Sequence, residues 1–263
     1  MVVGVVGRPR VGKTMVAQLL TNVAAATQGM DTVYISDSDT SIYLDNANYH
    51  LSNFPENFED EVRELVDSNA PAEHYRRLFV KPFGPKIYVG VIGGFISSMS
   101  LTHDVIINSL KAIPSDRLVV MDINAKEGMG SYLELVTACN VIIAVAMCDN
   151  YIFDMMTEYN KNIESNRALA YKHIWLINKY DEKMKSVKAY DKVLTCGQKP
   201  IHTLEYCPAL KRVLMNAEYN KLNDRLYKCH PELELATKSA IEVLQHLYDS
   251  KDRKIIKPYG SWL

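Results

Sequence analysis

The chain has 263 residues, 48% of them apolar and 23% charged, with a formal net charge of −1. That length is enough for one large core, and the composition is that of an average soluble globular protein, which excludes disordered, collagen-like and coiled-coil classes. A balance this close to neutral also excludes a protein that coats nucleic acid through a strongly basic surface, and leaves only a local basic patch open.

The first predicted element is a strand at Val2 to Val6. It runs into Gly7-Arg8-Pro9-Arg10-Val11-Gly12-Lys13-Thr14 and then a helix from about Lys13, with Val16, Leu19, Leu20 and Val23 on one face. Gly29 stands where a left-handed helix cap is wanted. A second strand follows at Thr32 to Ile35. Residues 45–85 read as an irregular insertion, helical and acidic over Glu56 to Asp67 and then punctuated by Pro71, Pro82 and Pro85. Further strands are predicted at Lys86 to Ile92, Leu118 to Met121, Val141 to Ala146, His173 to Ile177 and Ile201 to Tyr206. These are continuous Val and Ile runs, and strands covered by helices on both faces need just such runs. The expected fold is therefore a three-layer α/β sandwich on a mostly parallel sheet of about seven strands, as a single domain over residues 1–263 with a C-terminal tail from 251.

Gly7 to Thr14 satisfies G-x-x-x-x-G-K-[ST]. In such a loop backbone N–H groups surround phosphate oxygens, the lysine meets the β and γ phosphates, and the hydroxyl reaches Mg²⁺. Gly7, Arg8, Pro9, Arg10, Val11, Gly12, Lys13, Thr14 and Met15 are thus the candidate nucleotide-binding residues. Asp37-Ser38-Asp39 ends the second strand, and Asp122 ends Leu118-Val119-Val120-Met121. Ligands bind at such strand ends. One acidic residue there can hold a water on Mg²⁺ and another can orient the attacking water. A strand-terminal Asp alone reads as a turn cap, and the loop upstream tips the balance to the metal.

Together these pieces resemble the ParA/MinD family of deviant Walker A ATPases, P-loop NTPases of the SIMIBI type, over essentially the whole chain. The family's loop reads like G-K-G-G-x-G-K-T, its second strand ends in D-x-D, and its Walker B strand enters a D-x-P-A-G-like switch. The counterparts here are Gly7 to Thr14, Asp37 with Asp39, and Asp122 to Gly128. The resemblance implies that Lys13 and Thr14 bind phosphate and Mg²⁺, that Asp39 positions the hydrolytic water, and that Asp37 and Asp122 serve the metal. Arg8 falls where the family carries the signature lysine that reaches across an ATP-sandwich dimer.

Pro9 and Arg10 replace the paired glycines, removing one N–H donor and adding a side chain, which implies slow hydrolysis. The switch reads Asp122-Ile123-Asn124-Ala125-Lys126-Glu127-Gly128 and lacks the family's proline. Asn178 and Lys179 stand where the family contacts the base, and Tyr206-Cys207-Pro208-Ala209-Leu210 resembles its later base-side loop. Asn178-Lys179-Tyr180-Asp181 also matches N-K-x-D, the guanine-reading motif of GTPases. Adenine is the favoured base and guanine stays open.

Five cysteines with no C-x-x-C spacing read as reduced thiols. The apolar N-terminal run is too short for a signal-peptide core, and no stretch offers ~18 uncharged residues for a membrane span, so a cytoplasmic protein is expected. Seven histidines without ligand spacing give no zinc site, and Mg²⁺ is the one metal assigned. Lys183, Lys185, Lys188 and Lys192, and the tail from Lys251 to Leu263, offer contacts for acidic partners, DNA or a membrane, although Pro258 and Gly260 favour a solvated or packed tail. No helix-turn-helix unit precedes the loop. The resemblance implies an ATPase that forms a nucleotide-dependent homodimer and positions a cargo such as a plasmid, division site, pilus or secretion machine. The alternatives are a nucleotide-stabilised adaptor with little hydrolysis, and a SIMIBI GTPase.

Overall fold

The computed structural model describes residues 1–7, 10–27, 29–37, 57–83, 86–91, 96, 98–124, 133–147, 173–180, 201–205, 207–210 and 231–252. Its strands are β1 (Val2–Val6), β2 (Thr32–Ser36), β3 (Lys81–Pro82), β4 (Ile87–Val91), β5 (Leu118–Asp122), β6 (Val141–Met147), β7 (His173–Tyr180) and β8 (Ile201–Glu205). Its helices are α1 (Lys13–Thr27), α2 (Phe58–Asp67), α3 (Ala72–Phe79), α4 (Met99–Ala112), α5 (Leu133–Ala138) and, last in the chain, α6 (Pro231–Asp252).

The strands form one eight-stranded sheet in the order β3-β4-β2-β5-β1-β6-β7-β8. Every position of β1, β2 and β5 is buried. Their unbroken Val and Ile runs are the pattern that burial on both faces requires. All neighbouring pairs run parallel except β3 with β4. From β1 the sheet grows through β5 and β2 on one side and through β6 and β7 on the other. Such a reversal opens a crevice beyond the carboxyl ends of the central strands, and Gly7 leaves β1 into it. The start of β1 is fixed by Asn140, whose side-chain oxygen accepts from the Val2 N–H at 2.7 Å while its own N–H donates to the Val2 carbonyl at 2.8 Å.

Helix α1 packs on β1, β2 and β5 and against α6, which also covers β8. Helices α2, α3, α4 and α5 form a second packed group. The cap expected at Gly29 is present, and a second cap opens α4. Gly29 follows α1 at φ +63°, and the Ser98 hydroxyl accepts from the Leu101 N–H at the start of α4.

The expected α/β sandwich on a mostly parallel sheet is present, with these differences in detail. The sheet has eight strands rather than about seven, because Lys81–Pro82 pairs antiparallel with β4. Pro82 can stand there because β3 is an edge strand, where a missing N–H leaves no ladder bond unmade. The described part of residues 45–85 is regular, holding α2, α3 and β3. Strand β7 continues through Tyr180, so Asn178 and Lys179 lie within it rather than after it. Residues 251 and 252, expected in the tail, belong to α6, which runs through Asp252; residues 253–263 lie outside the described residues, as do Lys183 to Lys192.

Phe79 anchors α3 to the sheet. It is fully buried, and its ring occupies the space above Gly90 of β4, where an added Cβ would lie 2.7 Å from the ring. Replacing it leaves a ring-sized void that a glycine strand cannot fill. Phe79→Ala is expected to lower stability by about 3–5 kcal/mol, read as a shift of the urea midpoint at unchanged slope. A loss well under that range would show that α3 does not depend on this contact.

Candidate functional site

The loop after β1 is shaped by close backbone approaches. Gly7 has φ +151° and Gly12 φ +89°. A Cβ on Gly7 would lie 2.5 Å from the Val145 carbonyl oxygen, and one on Gly12 would collide with the Asn178 carboxamide. Only glycine fits both places. Arg10, between them, is exposed and also takes a left-handed conformation at φ +69°. The Val16 N–H donates to the Gly12 carbonyl at 3.0 Å, closing the first turn of α1. No acidic residue occupies that turn. The N–H groups of a helix's first turn have no acceptor within the helix, and with the positive end of the dipole they favour an anion.

Lys13, at the first position of α1, is only 7% exposed. Burial lowers its pKa, while Asp122 and then Asp37 pull it back up. Asp122 closes β5 and is itself 2% exposed. Desolvation raises its pKa, opposed by the Thr14 hydroxyl, the Lys13 charge and the Tyr34 phenol. The Tyr34 O–H donates to Asp122 Oδ2 at 3.1 Å, whereas the buried Oδ1 has no hydrogen-bond partner.

Asp37, just beyond β2, accepts from the Asn124 backbone N–H at 2.8 Å. Burial is the largest influence on its carboxyl, and the neighbouring Asp122 charge adds to it. The Asn124 N–H and Lys13 act in the other direction, and the net result is a pKa of about 7.

The structure thus brings Lys13, Thr14, Asp37 and Asp122 together at the carboxyl ends of β1, β2 and β5. The Thr14 hydroxyl and the two carboxylates are an all-oxygen donor set, the kind a hard divalent cation takes. Among the described residues no three His, Cys, Asp or Glu side chains form a metal cluster. A cation here would take its remaining oxygens from phosphate and water, as Mg²⁺ does.

Val11 and Met15 flank the loop as half-buried residues packed against the core. Asn178 meets the loop directly, donating from Nδ2 to the Val11 carbonyl at 2.7 Å. Lys179 follows it, half-buried, at φ +53°. Cys207 is buried, and its carbonyl accepts from the Leu210 N–H in a short turn with Pro208 exposed. Arg8, Pro9, Asp39 and Tyr206, and the switch residues Ala125 to Gly128, lie outside the described residues.

Sequence reasoning missed Tyr34. A signal was present: one phenol in the otherwise aliphatic centre of a strand buried at every position must find a partner for its hydroxyl.

The raised Asp37 pKa fixes a pH dependence. Its folded value of about 7 exceeds the ordinary 3.8. The native state therefore binds more protons than the unfolded chain between those values, and stability is lost as pH rises through that window. Asp37→Asn keeps an acceptor for the Asn124 N–H but carries no charge. Without nucleotide, its melting temperature is expected to match the wild type near pH 4 and to exceed it by several degrees at pH 8. A difference that does not change with pH would contradict this account.

No protein-family model matches the sequence, and no curated protein matches it. Solved structures do. The MinC:MinD cell division protein complex of Aquifex aeolicus superposes with a TM-score of 0.65 at 14% identity, covering 93% of this chain and 95% of that one. A ParA family ATPase from Chlorobium tepidum gives 0.65 at 12% identity, covering 93% and 98%. The septum site-determining protein MinD of Pyrococcus horikoshii, complexed with Mg-ADP, gives 0.60 at 15% identity, covering 92% and 95%. At these identities the likeness establishes the fold: this chain is built on the α/β architecture of the MinD and ParA ATPases.

Proposed function

We propose that the chain is a slow ATPase of the ParA/MinD kind, which binds ATP with Mg²⁺, pairs with a second copy in the triphosphate state and resets on hydrolysis. The observation that carries this reading is the meeting of Lys13, Asp122 and Asp37 at the mouth of a loop whose helix end holds no acidic residue. A buried lysine between two carboxylates has no evident packing purpose at a strand end, and a phosphate chain completes it. The orphaned Asp122 Oδ1 fits a water on the metal.

In this reading the loop N–H groups and Lys13 hold the β and γ phosphates, and Thr14 and the two aspartates hold the cation side. Mg²⁺ held by Thr14 and the aspartates would supply positive charge against the charge that develops during transfer. Asp39 orients a water whose oxygen bonds to the γ-phosphorus as the bond to the bridging oxygen breaks, giving ADP, inorganic phosphate and a proton. Arg8 meets the partner's nucleotide, since its planar guanidinium suits phosphate. The output is positional or regulatory, because Pro9 and Arg10 in place of bare backbone favour slow turnover over metabolic flux. The exposed, left-handed Arg10 favours one other reading, an adaptor that binds nucleotide with little hydrolysis.

Molar mass by light scattering, with no nucleotide, with ADP and with a slowly hydrolysed ATP analogue, tests the switch. Doubling is expected for the wild type with the triphosphate alone, and for Lys13→Ala in no state. Phosphate release by Asp39→Ala is expected to fall about 100-fold. Unchanged mass in every state would remove the sandwich dimer, and a wild-type rate that Asp39→Ala does not lower would favour the adaptor.

A further inference from the structure

Asn178 is placed by the sequence pattern on the base side of a nucleotide site, yet its side chain is committed elsewhere. It is 1% exposed. Its Nδ2 donates to the Val11 carbonyl at 2.7 Å, and its Oδ1 accepts from the Lys179 backbone N–H at 2.9 Å. Both ends of the carboxamide are engaged, so the orientation of the group is set by its partners. The backbone is bent to deliver it. Lys179 takes φ +53°, and the β7–β8 register shifts between Asn178 and Tyr180.

The bond to Val11 acts on the loop through a single peptide plane. The Val11 carbonyl and the Gly12 N–H belong to one trans peptide, in which the two bonds point in opposite directions. Holding the carbonyl towards β7 turns the Gly12 N–H away from it and keeps that donor fixed. Gly12 permits the approach because a Cβ there would strike Nδ2. The residue after this plane is Lys13, so the same bond fixes the start of α1 and the buried ammonium.

We infer that Asn178 is a positioning residue of the phosphate loop, clamping the Val11–Gly12 peptide in its anion-binding orientation, and that it contributes to nucleotide affinity through the phosphate chain independently of the base. This rests on the reading of the loop as a nucleotide site. On this inference the contribution of Asn178 falls on the phosphate chain whichever base is attached.

The test is calorimetric titration with ATP, GTP and inorganic tripolyphosphate, each with Mg²⁺, on wild type, Asn178→Ala and Asn178→Asp. Aspartate keeps the size and the acceptor for Lys179 but offers the Val11 carbonyl no donor. Both variants are expected to lose about tenfold in affinity for all three ligands alike, with the ATP to GTP ratio unchanged. A loss for ATP with tripolyphosphate unaffected would assign Asn178 to the base and overturn the inference, as would unchanged affinity for every ligand. Failure of the wild type to bind any of the three would instead overturn the nucleotide reading itself. Should the variants not fold, the wild type decides alone: the Asn178 side-chain amide resonance is expected to shift on adding tripolyphosphate, and an unmoved resonance would overturn the inference.

Discussion

Burial of the Lys13 ammonium beside Asp122 and Asp37 is the constraint from which the rest of the site follows. A lone charge in that position would lose its hydration with nothing in return, and a lysine so placed would shed its proton. The two carboxylates supply the missing attraction, but they are themselves desolvated and repel one another. Asp37 accordingly stands at a pKa of about 7, half protonated near neutrality. The cluster therefore balances one cation against two acids whose pKa values burial raises. Such a balance is sensitive to any ligand that brings its own phosphates and cation, and that is what a nucleotide-binding centre requires.

The sheet makes this cluster possible. β1, β2 and β5 are adjacent and parallel, with Ser36 level with Asp122 and Val5 level with Asp122 on the other side. Three carboxyl ends therefore emerge together, and α1 begins among them. Three side-chain bonds then tie the site to the framework: Tyr34 to Asp122, Asp37 to the Asn124 N–H, and Asn178 to Val11. Each spans strands far apart in sequence. The site is thus braced from β2 and from β7 at once.

The strands and the loop were legible because their signals are local. A continuous Val and Ile run, a glycine pattern ahead of Lys13-Thr14 and an aspartate at a strand end are each contained within a few residues. β3 was not legible, since two residues ending in proline carry no periodicity and pair only because β4 presents an edge. Tyr34 and Asn178 were visible as residues, but their roles depend on partners about 90 and 170 positions away, and no spacing rule reaches that far. The base-side assignment of Asn178 came from resemblance alone, which places a residue along the chain without saying where its carboxamide turns.

Calorimetric titration of ATP with Mg²⁺ onto wild type and Lys13→Met tests the central claim most directly, because methionine keeps most of the length of the buried side chain and removes its charge and N–H donors. The account predicts one site per chain in the wild type and an affinity loss of about 100-fold or more in the variant, the scale expected when a buried, charge-assisted contact to phosphate is deleted. Equal affinity in the two proteins, or no binding by the wild type, would contradict it.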